Sequence, residues 1–267
     1  MTLSGKTIAV IGGSTGLGFS AAKALVAQGA KVGICGRSRD RLEDALAELG
    51  NDQACGLCGD ATNSETAGEL IAELVSRFGR LDGLYHVAGG SGRSKGDGPL
   101  HEMTDEGWQY TVDLNLSSLI WSNRAAVRQF LAQGDGGAIL NMGSVLGDSP
   151  SPTFFASHAY AATKSAVIGF SKSIAAHYAS DNIRVNVIAP ALVETPMSER
   201  AQGNEAIMDF VRTKQPLDGG RIGAPEDLDA AVVFLLGPGS KFVTGQVLAV
   251  DGGWSVTEGQ VGREKSE

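Results

Sequence analysis

The sequence lacks any apolar run long enough to cross a membrane, because no stretch reaches the roughly 18 residues that a spanning helix needs. Residues 1–6 also lack the apolar segment of a signal peptide. Basic residues are outnumbered, since 22 lysines and arginines stand against 30 acidic residues for a net charge of −8. Such a balance argues against broad nucleic-acid or anionic-membrane binding. We therefore expect a cytoplasmic protein that binds neither membranes nor nucleic acids.

Cysteines are also few, and the chain has only Cys35, Cys55 and Cys58. The last two have the spacing of a C-x-x-C redox or metal motif, but no second pair and no histidine follow at ligand spacing. They also fall in a predicted strand, where positions three apart point to opposite faces. Three of the four histidines likewise lack cysteine or acidic partners at ligand spacing. We expect buried free thiols and no metal site.

The chain does have a regular alternation of short apolar runs and helical patterns, with 42% hydrophobic residues and 37 glycines. Seven mostly apolar runs predict strands at 7–11, 31–35, 54–58, 81–87, 138–142, 184–188 and 246–250. Helical periodicity between them predicts helices at 21–28, 40–49, 64–78, 104–133, 157–180 and 225–236. This alternation predicts an α/β protein whose parallel sheet is covered by helices on both faces. No linker divides the chain, so we expect one domain over residues 1–257 and a polar tail over 258–267.

A glycine-rich turn follows the first predicted strand and precedes the first helix, with the spacing Gly12-x-x-x-Gly16-x-Gly18. In this context backbone N–H groups and a helix N-terminus can hold a pyrophosphate, and glycines let it approach closely. The spacing differs from the usual G-x-G-x-x-G fingerprint. The turn predicts a dinucleotide site, the alternative being a tight turn without a ligand.

The second predicted strand ends in Gly36-Arg37-Ser38-Arg39, where many dinucleotide-binding proteins have an aspartate. That aspartate would accept hydrogen bonds from the adenosine ribose and repel a 2′-phosphate. Guanidinium groups beside a small residue fit a phosphate instead. We therefore expect NADP(H) to be favoured over NAD(H), the alternative being two solvated arginines, one of them stacking on adenine.

Tyr160 and Lys164 are four residues apart in a predicted helix, so they would lie on the same face. A nearby ammonium group favours the anionic form of a phenol and lowers its pKa from about 10 towards neutrality. Such a phenol can give or take the proton of an alcohol. The alternative is an ordinary amphipathic helix with a half-buried tyrosine and a solvated lysine.

The glycine spacing, the Tyr160/Lys164 pair and the order of strands and helices make the chain resemble the short-chain dehydrogenase/reductase family over nearly its whole length. Asp60 and Ala61 follow the third strand, where that family contacts adenine. Asn115 looks like the family's helix asparagine. Ser144 matches its serine after the fifth strand, and residues 189–195 resemble its segment behind the nicotinamide.

This resemblance implies a single-domain, doubly wound Rossmann fold with a seven-stranded parallel sheet, and an NAD(P)(H)-dependent oxidoreductase that interconverts a secondary alcohol and a ketone. Tyr160 would be the acid/base, Lys164 would lower its pKa and bind the nicotinamide ribose, and Ser144 would hold the carbonyl oxygen. Asn115 would anchor a water of the proton relay. The implied cofactor-binding residues are Gly12, Ser14, Thr15, Gly16, Leu17, Gly18, Arg37, Ser38, Asp60, Ala61, Ala88, Gly89, Tyr160, Lys164, Pro190, Val193 and Thr195.

The chain also departs from the family pattern. Ile11 replaces a threonine whose hydroxyl braces the glycine turn, and His86-Val87 replace an Asn-Asn pair at the sheet centre. Ala191 replaces a glycine, and Ser144 precedes Tyr160 by a few residues more than usual. These changes leave the expected chemistry in place.

The substrate stays open among 3-oxoacyl thioesters, sugars or polyols, and cyclic ketones. We expect the substrate loops at residues 89–99, 148–157 and 195–220, the last forming a mobile lid. Basic residues of these loops could attract an anion, or each could simply be solvated: Arg93, Lys95, Arg200, Arg212 and Lys214. A catalytically silent NADP(H)-binding regulator of the same fold is the alternative function. A methyltransferase is disfavoured, because its second strand would normally end in an acidic residue. By resemblance we expect a homodimer or homotetramer.

Overall fold

The computed structural model describes residues 2–259 of the chain. Within these residues lies a sheet of seven parallel strands in the order β3-β2-β1-β4-β5-β6-β7. The strands are β1 (Thr7–Ile11), β2 (Lys31–Gly36), β3 (Ala54–Cys58), β4 (Gly83–His86), β5 (Gly137–Met142), β6 (Ile183–Pro190) and β7 (Val247–Val250). The predicted seven-stranded parallel sheet is confirmed.

Helices follow the strands along the chain. They are α1 (Gly16–Ala27), α2 (Arg39–Leu49), α3 (Thr66–Phe78), α4 (Asp105–Val112), α5 (Ser118–Gln133), α6 (His158–His177), α7 (Glu199–Gln202), α8 (Glu205–Lys214) and α9 (Asp229–Leu236). Across residues 2–259, none of the helices combines the length and the apolar character that spanning a membrane requires.

Two separate cores lie on the two faces of the sheet. Ile8 and Val10 of β1 pack with residues of α1, α2 and α9. Ala9 and Ile11 of the same strand pack with residues of α3 and α5 on the other face. Because side chains alternate along a strand, a strand that is apolar throughout must be covered on both sides. The doubly wound arrangement predicted from the apolar strands is confirmed.

The strand order reverses beside β1, which pairs with β2 on one side and with β4 on the other. In open α/β sheets a crevice opens at such a point, beyond the carboxyl ends of the strands. The glycine turn follows β1, and Ala88-Gly89 follow β4. The fold therefore brings these two segments to the same crevice.

Two predicted helices differ from those observed. The first begins at Gly16 rather than at residue 21, because glycines of the turn form its first turn and carry no apolar periodicity. The predicted helix 104–133 is interrupted by a π-helical turn, Asp113–Ser117. Within it the Asn115 Nδ2 donates to the carbonyl of Thr111 at 3.0 Å, so the side chain competes for the helix's own acceptor. Such turns are frequent at functional sites.

Candidate active site

Tyr160 and Lys164 lie one turn apart on α6, and the Lys164 Nζ is 5.5 Å from the centroid of the Tyr160 ring. Ser144 follows β5 and lines the same pocket as Tyr160, close enough for its hydroxyl to influence the pKa of the phenol. The Lys164 Nζ donates to the Met142 carbonyl oxygen at 2.9 Å. β5 and α6 thus bring together the three side chains expected to carry the acid/base chemistry.

The pKa values of this pair differ from the sequence-based expectation. Burial raises the pKa of the Tyr160 phenol from its ordinary value, and the Ser144 hydroxyl opposes this rise. Burial also lowers the pKa of Lys164 from 10.5 to about 8. The expected lowering of the Tyr160 pKa by Lys164 is therefore not observed. The reason is that removal of the phenol from water disfavours its anionic form more than the neighbouring Ser144 hydroxyl favours it.

Asn115 lies directly behind this group and is completely buried. Its Oδ1 accepts a hydrogen bond from the Gly90 N–H at 3.0 Å, and its Nδ2 donates to the Gly90 carbonyl at 2.9 Å. A Cβ at Gly89 would lie 2.8 Å from the Asn115 Oδ1 and 3.6 Å from the Lys164 Nζ. Asn115 therefore holds the loop after β4 close to Lys164, where only glycine fits.

A groove of about 610 Å³ runs along the carboxyl ends of β1, β2 and β4. Most of the predicted cofactor-binding residues line it: Gly12, Ser14, Thr15, Gly16, Leu17, Gly18, Arg37, Ser38, Asp60, Ala61, Ala88, Gly89 and Thr195. The others, Tyr160, Lys164, Pro190 and Val193, line an adjoining pocket together with Ser144. Two cavities that share a border thus bring together every predicted cofactor-binding residue.

The glycine turn packs too closely against the neighbouring backbone to hold side chains at two of its positions. Gly12 has a φ of +91°, and a Cβ there would lie 2.8 Å from the Ala88 nitrogen. A Cβ at Gly18 would lie 2.1 Å from the Gly12 carbonyl oxygen. Among the described residues, no side chain caps α1 and none in its first turn is acidic. A positive helix end without a cap fits an anionic pyrophosphate, so these residues fit a dinucleotide.

At the far end of the groove, Arg37 and Ser38 lie with Asp60 and with Arg41, which the sequence reasoning missed. Arg41 is in the first turn of α2, where the helix dipole disfavours cations. That unfavourable position is the signal that could have identified it. A Cβ at Gly36 would lie 2.1 Å from the Ser14 Oγ, so the absence of a side chain there keeps the two loops in contact.

The adjoining pocket has a volume of about 180 Å³. Apolar side chains form much of its wall: Val145, Leu146, Phe155, Leu192, Met197 and Trp254. Arg93 and Arg200 also line it. The segment 195–220, predicted to be a lid, folds as α7 and α8 and packs Ile207 and Val211 against Trp254. Tyr160 and Ser144 therefore face a small, mainly apolar space.

A further residue of the site was not predicted. Asp97, 4% exposed, accepts hydrogen bonds from the Ala159 N–H at 3.0 Å and from the Tyr160 N–H at 3.1 Å. It therefore caps α6 in place of Ser157, which makes no capping bond with its side chain. Only the fold brings residue 97 to this helix, since nothing in the local sequence marks the contact.

Comparison with known proteins agrees with this fold. A family model described as enoyl-(acyl carrier protein) reductase matches residues 12–255. A structure of a short-chain type dehydrogenase/reductase from Mycobacterium ulcerans superimposes with a TM-score of 0.88 at 32% identity, covering 96% of this chain and 92% of that one. The chain belongs to the short-chain dehydrogenase/reductase family. It is an oxidoreductase of this family, whose members use NAD(P)(H).

Relatives within the family act on different substrates. The 3-oxoacyl-(acyl-carrier-protein) reductase FabG of Chlamydia trachomatis is 35% identical over 93% of this chain and 96% of its own length. The galactitol 2-dehydrogenase (L-tagatose-forming) of Cereibacter sphaeroides is 34% identical over 95% and 96%. The 2,5-dichloro-2,5-cyclohexadiene-1,4-diol dehydrogenase of Sphingobium indicum is 33% identical over 95% and 98%. Similarity alone therefore does not select a substrate class.

The family departure at His86 has a structural explanation. His86 is completely buried, with its Nδ1 2.7 Å from the Ser122 Oγ and its Nε2 3.4 Å from the Ser118 Oγ. Burial lowers its pKa to about 3, with Lys164 adding to the effect, so the ring is neutral at physiological pH. The imidazole thus takes over the hydrogen bonding at the sheet centre that the family's amides would supply.

The cysteines are free thiols, and Cys35 and Cys55 are buried. Burial raises the pKa of each of these two thiols to about 11. No cluster of three His, Cys, Asp or Glu side chains occurs within residues 2–259 in an arrangement that could hold a metal ion.

Proposed function

We propose that the protein interconverts a secondary alcohol and a ketone, with Tyr160 as the acid/base. The observation that carries this proposal is that Tyr160 and Ser144 together line a small pocket that adjoins the glycine-lined groove. Lys164 lies one helical turn away and is buried. A dinucleotide groove beside a proton donor is what carbonyl reduction needs.

Each side chain has a role that follows from its position. In reduction, Tyr160 donates its proton to the carbonyl oxygen, and in oxidation the phenolate takes the proton of the alcohol. Ser144 donates a hydrogen bond to the same oxygen, where negative charge develops. Lys164 stabilises the phenolate that forms when Tyr160 gives up its proton, because the two lie on one helix face. Asn115 holds the Gly89-Gly90 loop in place and anchors the relay water.

The nicotinamide dinucleotide would supply the hydride. The turn residues 12–18 and the N-terminus of α1 would hold its pyrophosphate, and Asp60 and Ala61 would contact the adenine. Pro190, Val193 and Thr195 would lie against the nicotinamide, because all three line the pocket beside Tyr160 and Thr195 also lines the groove.

We propose NADP(H) as the preferred cofactor. Arg37 and Arg41 both line the adenosine end of the groove, and Ser38 lies between them in sequence. Two guanidinium groups and a hydroxyl suit the 2′-phosphate, which Arg binds with two parallel hydrogen bonds. Arg37 and Arg41 are both exposed at the open edge of the groove, where a phosphate can reach them.

The substrate proposed for this pocket has a compact apolar body. The wall formed by Leu146, Phe155 and Trp254 offers few hydrogen-bonding groups to a polyhydroxylated chain. An acyl group, as handled by the FabG relatives, or a ring, as handled by the cyclohexadienediol dehydrogenases, fits this wall better. The structure named as levodione reductase, with a TM-score of 0.85 at 27% identity, belongs to the same fold group. The regulatory alternative gains no support, because Tyr160, Lys164 and Ser144 are all retained and brought together.

The test measures the reduction of a panel of ketones by wild type, Tyr160→Phe and Tyr178→Phe. The rate is read from the loss of NADPH absorbance. Tyr178 lies at the other end of α6 and serves as the matched control. We expect Tyr160→Phe to lower kcat at least about 100-fold, the typical size of a general-acid contribution, with NADPH affinity retained. Equal activity of wild type and Tyr160→Phe would contradict the proposal.

A further inference from the structure

The basic residues of the substrate loops separate into two groups in the structure. Arg212 pairs with Asp209, with the two charged atoms 2.6 Å apart. Lys214 donates to the Thr257 carbonyl and lies over the Trp254 ring. Lys95 is exposed and lies over the Tyr110 ring at 5.9 Å. Arg93 and Arg200, in contrast, line the substrate pocket.

Arg93 and Arg200 come from different loops and meet at one backbone atom. Each donates from its Nη2 to the Phe154 carbonyl oxygen, at 3.4 Å in both cases. Arg93 follows β4 and is partly buried, whereas Arg200 is on α7 and exposed at the rim. Two cations are therefore held side by side at the mouth of a pocket that is otherwise mainly apolar.

Nothing in the described part of the chain neutralises these two charges at close range. None of the ion pairs within residues 2–259 includes Arg93 or Arg200. Burial and the charge of Arg200 lower the pKa of Arg93, and Asp97 is the carboxylate that opposes them. Both oxygens of Asp97, however, accept hydrogen bonds from the first turn of α6. Like charges brought together without a counter-ion are unfavourable unless an anion joins them.

We propose that Arg93 and Arg200 form a carboxylate-binding site at the mouth of the pocket, so that the substrate is a small oxo acid or hydroxy acid with an apolar body. The proposal rests on the alcohol–ketone chemistry assigned to Tyr160. Each guanidinium has five donors in a fork that matches a carboxylate, and each uses one bond on Phe154. The pocket of about 180 Å³ suits a short chain or a single ring between the arginines and Tyr160.

The experiment compares oxo acids with their methyl esters, which keep the ketone and the body but remove the charge. Suitable pairs are acetoacetate, levulinate and benzoylformate, each with its methyl ester. Binding to the NADP⁺-saturated enzyme is measured by calorimetry, and reduction with NADPH gives kcat/KM. The variants are Arg93→Gln and Arg200→Gln, with Arg212→Gln as a control that removes one charge from the neighbouring helix without touching the pocket.

We expect at least one acid to be preferred over its ester by about 10- to 100-fold, the size of charge-assisted hydrogen bonds in an interface. Arg93→Gln and Arg200→Gln should each lower this acid-to-ester ratio by about 10-fold, and Arg212→Gln should leave it unchanged. Acids that bind no better than esters in every pair would overturn the proposal, whether or not either is reduced. The proposal would also be overturned if Arg212→Gln lowered the acid-to-ester ratio as much as Arg93→Gln and Arg200→Gln do, because the effect would then come from net charge.

The outcome also distinguishes this site from the reaction on which it rests. Failure of the enzyme to bind NADPH or NADH, or full activity of Tyr160→Phe, would remove the alcohol–ketone chemistry. Reduction of esters and acids at equal rates, with cofactor binding and Tyr160 dependence intact, would remove the carboxylate site alone. A preference for long thioesters over both the oxo acids and their methyl esters would overturn the proposal. The mouth of the pocket would then bind an acyl carrier instead of a free carboxylate.

Discussion

Lys164 is 2% exposed, and its Nζ donates to the Met142 carbonyl oxygen at 2.9 Å. Burial lowers its pKa from 10.5 to about 8, so at neutral pH the fold holds a charged group almost completely out of water. Removing a charge from water is unfavourable, and a single backbone acceptor offsets only part of that cost. We therefore expect the buried ammonium group of Lys164 to lower the stability of the fold.

Replacement of Lys164 by Met should raise the free energy of unfolding at neutral pH by about 1–2 kcal/mol, because the burial cost disappears while one hydrogen bond is lost. The same variant should lose turnover. Urea unfolding checks the first effect, with Lys172→Met, an exposed lysine of the same helix, as the control. A lower free energy of unfolding for Lys164→Met than for wild type would contradict this prediction. It would mean that contacts in the fold fully offset the cost of burying the ammonium group.

The pH dependence of wild type has a defined sign. Between about pH 8 and 10.5 the unfolded chain keeps the Lys164 proton while the folded chain has released it. The free energy of unfolding of wild type should therefore rise relative to that of Lys164→Met across this window, by about 3 kcal/mol in total. A constant difference between the two proteins over that range would contradict the lowered pKa.

For single residues, the sequence predicted which side chains come together better than it predicted their pKa values. Tyr160, Lys164 and Ser144 were found from motif and spacing, and the fold brings them together. The direction of the Tyr160 pKa was wrong, because burial of a side chain cannot be read from its neighbours in sequence. The roles of these residues stay predictions until the variants are measured.

At the scale of elements, α6 depends on a cap from a distant loop. Asp97 satisfies the N–H groups of Ala159 and Tyr160, and the carboxylate also suits the positive end of the helix. Because Tyr160 is itself one of the capped residues, the cap sets the position of the phenol. We therefore expect Asp97 to act as a positioning residue.

Asp97→Ala should lower stability by about 0.5–2 kcal/mol, as loss of a helix cap does. It should also lower kcat by roughly 10- to 100-fold through displacement of the reacting group, with NADPH affinity unchanged. Asp97→Asn keeps one hydrogen-bond acceptor, so it should recover part of the lost stability and part of the lost kcat. Steady-state kinetics and urea unfolding check this, and a change in stability without a change in kcat would limit Asp97 to a structural role.

The strands were predicted more closely than the helices. The runs 7–11 and 54–58 coincide with β1 and β3, because short apolar segments bounded by turn residues have few alternatives. The break at Asp113–Ser117 was missed; Asn115 at its centre bonds both the Thr111 carbonyl of its own helix and the distant Gly90 loop. Periodicity within one helix contains no information about such a contact.

At the scale of the whole molecule, β7 is the last strand of the sheet, and Val247 and Leu248 on it are each 38% exposed. Phe242, shortly before β7, is fully exposed. Apolar side chains along a sheet edge are a liability in a monomer. They support the predicted homodimer or homotetramer, with this edge as one contact.

Light scattering should give a mass two or four times the chain mass of 27.6 kDa. Replacement of Leu248 and Phe242 by polar residues should shift the mass towards the monomer, whereas the same change at Leu100, exposed in the loop before α4, should not. A monomeric wild type would contradict the prediction. The predicted boundary between domain and tail stays untested, because residues 260–267 lie outside the described part.

The measurement that tests the account most directly is the affinity of NADPH and NADH for wild type, Arg37→Ala and Arg39→Ala at one ionic strength. Without a bound dinucleotide there is no hydride, and Arg39 is a matched control because it is exposed and pairs with Glu43 outside the groove. We expect wild type to bind NADPH at least about 10-fold more tightly than NADH, Arg37→Ala to lose most of that preference, and Arg39→Ala to keep it. Equal or tighter binding of NADH by wild type would contradict the assigned 2′-phosphate site, and binding of neither cofactor would contradict the proposed function as a whole.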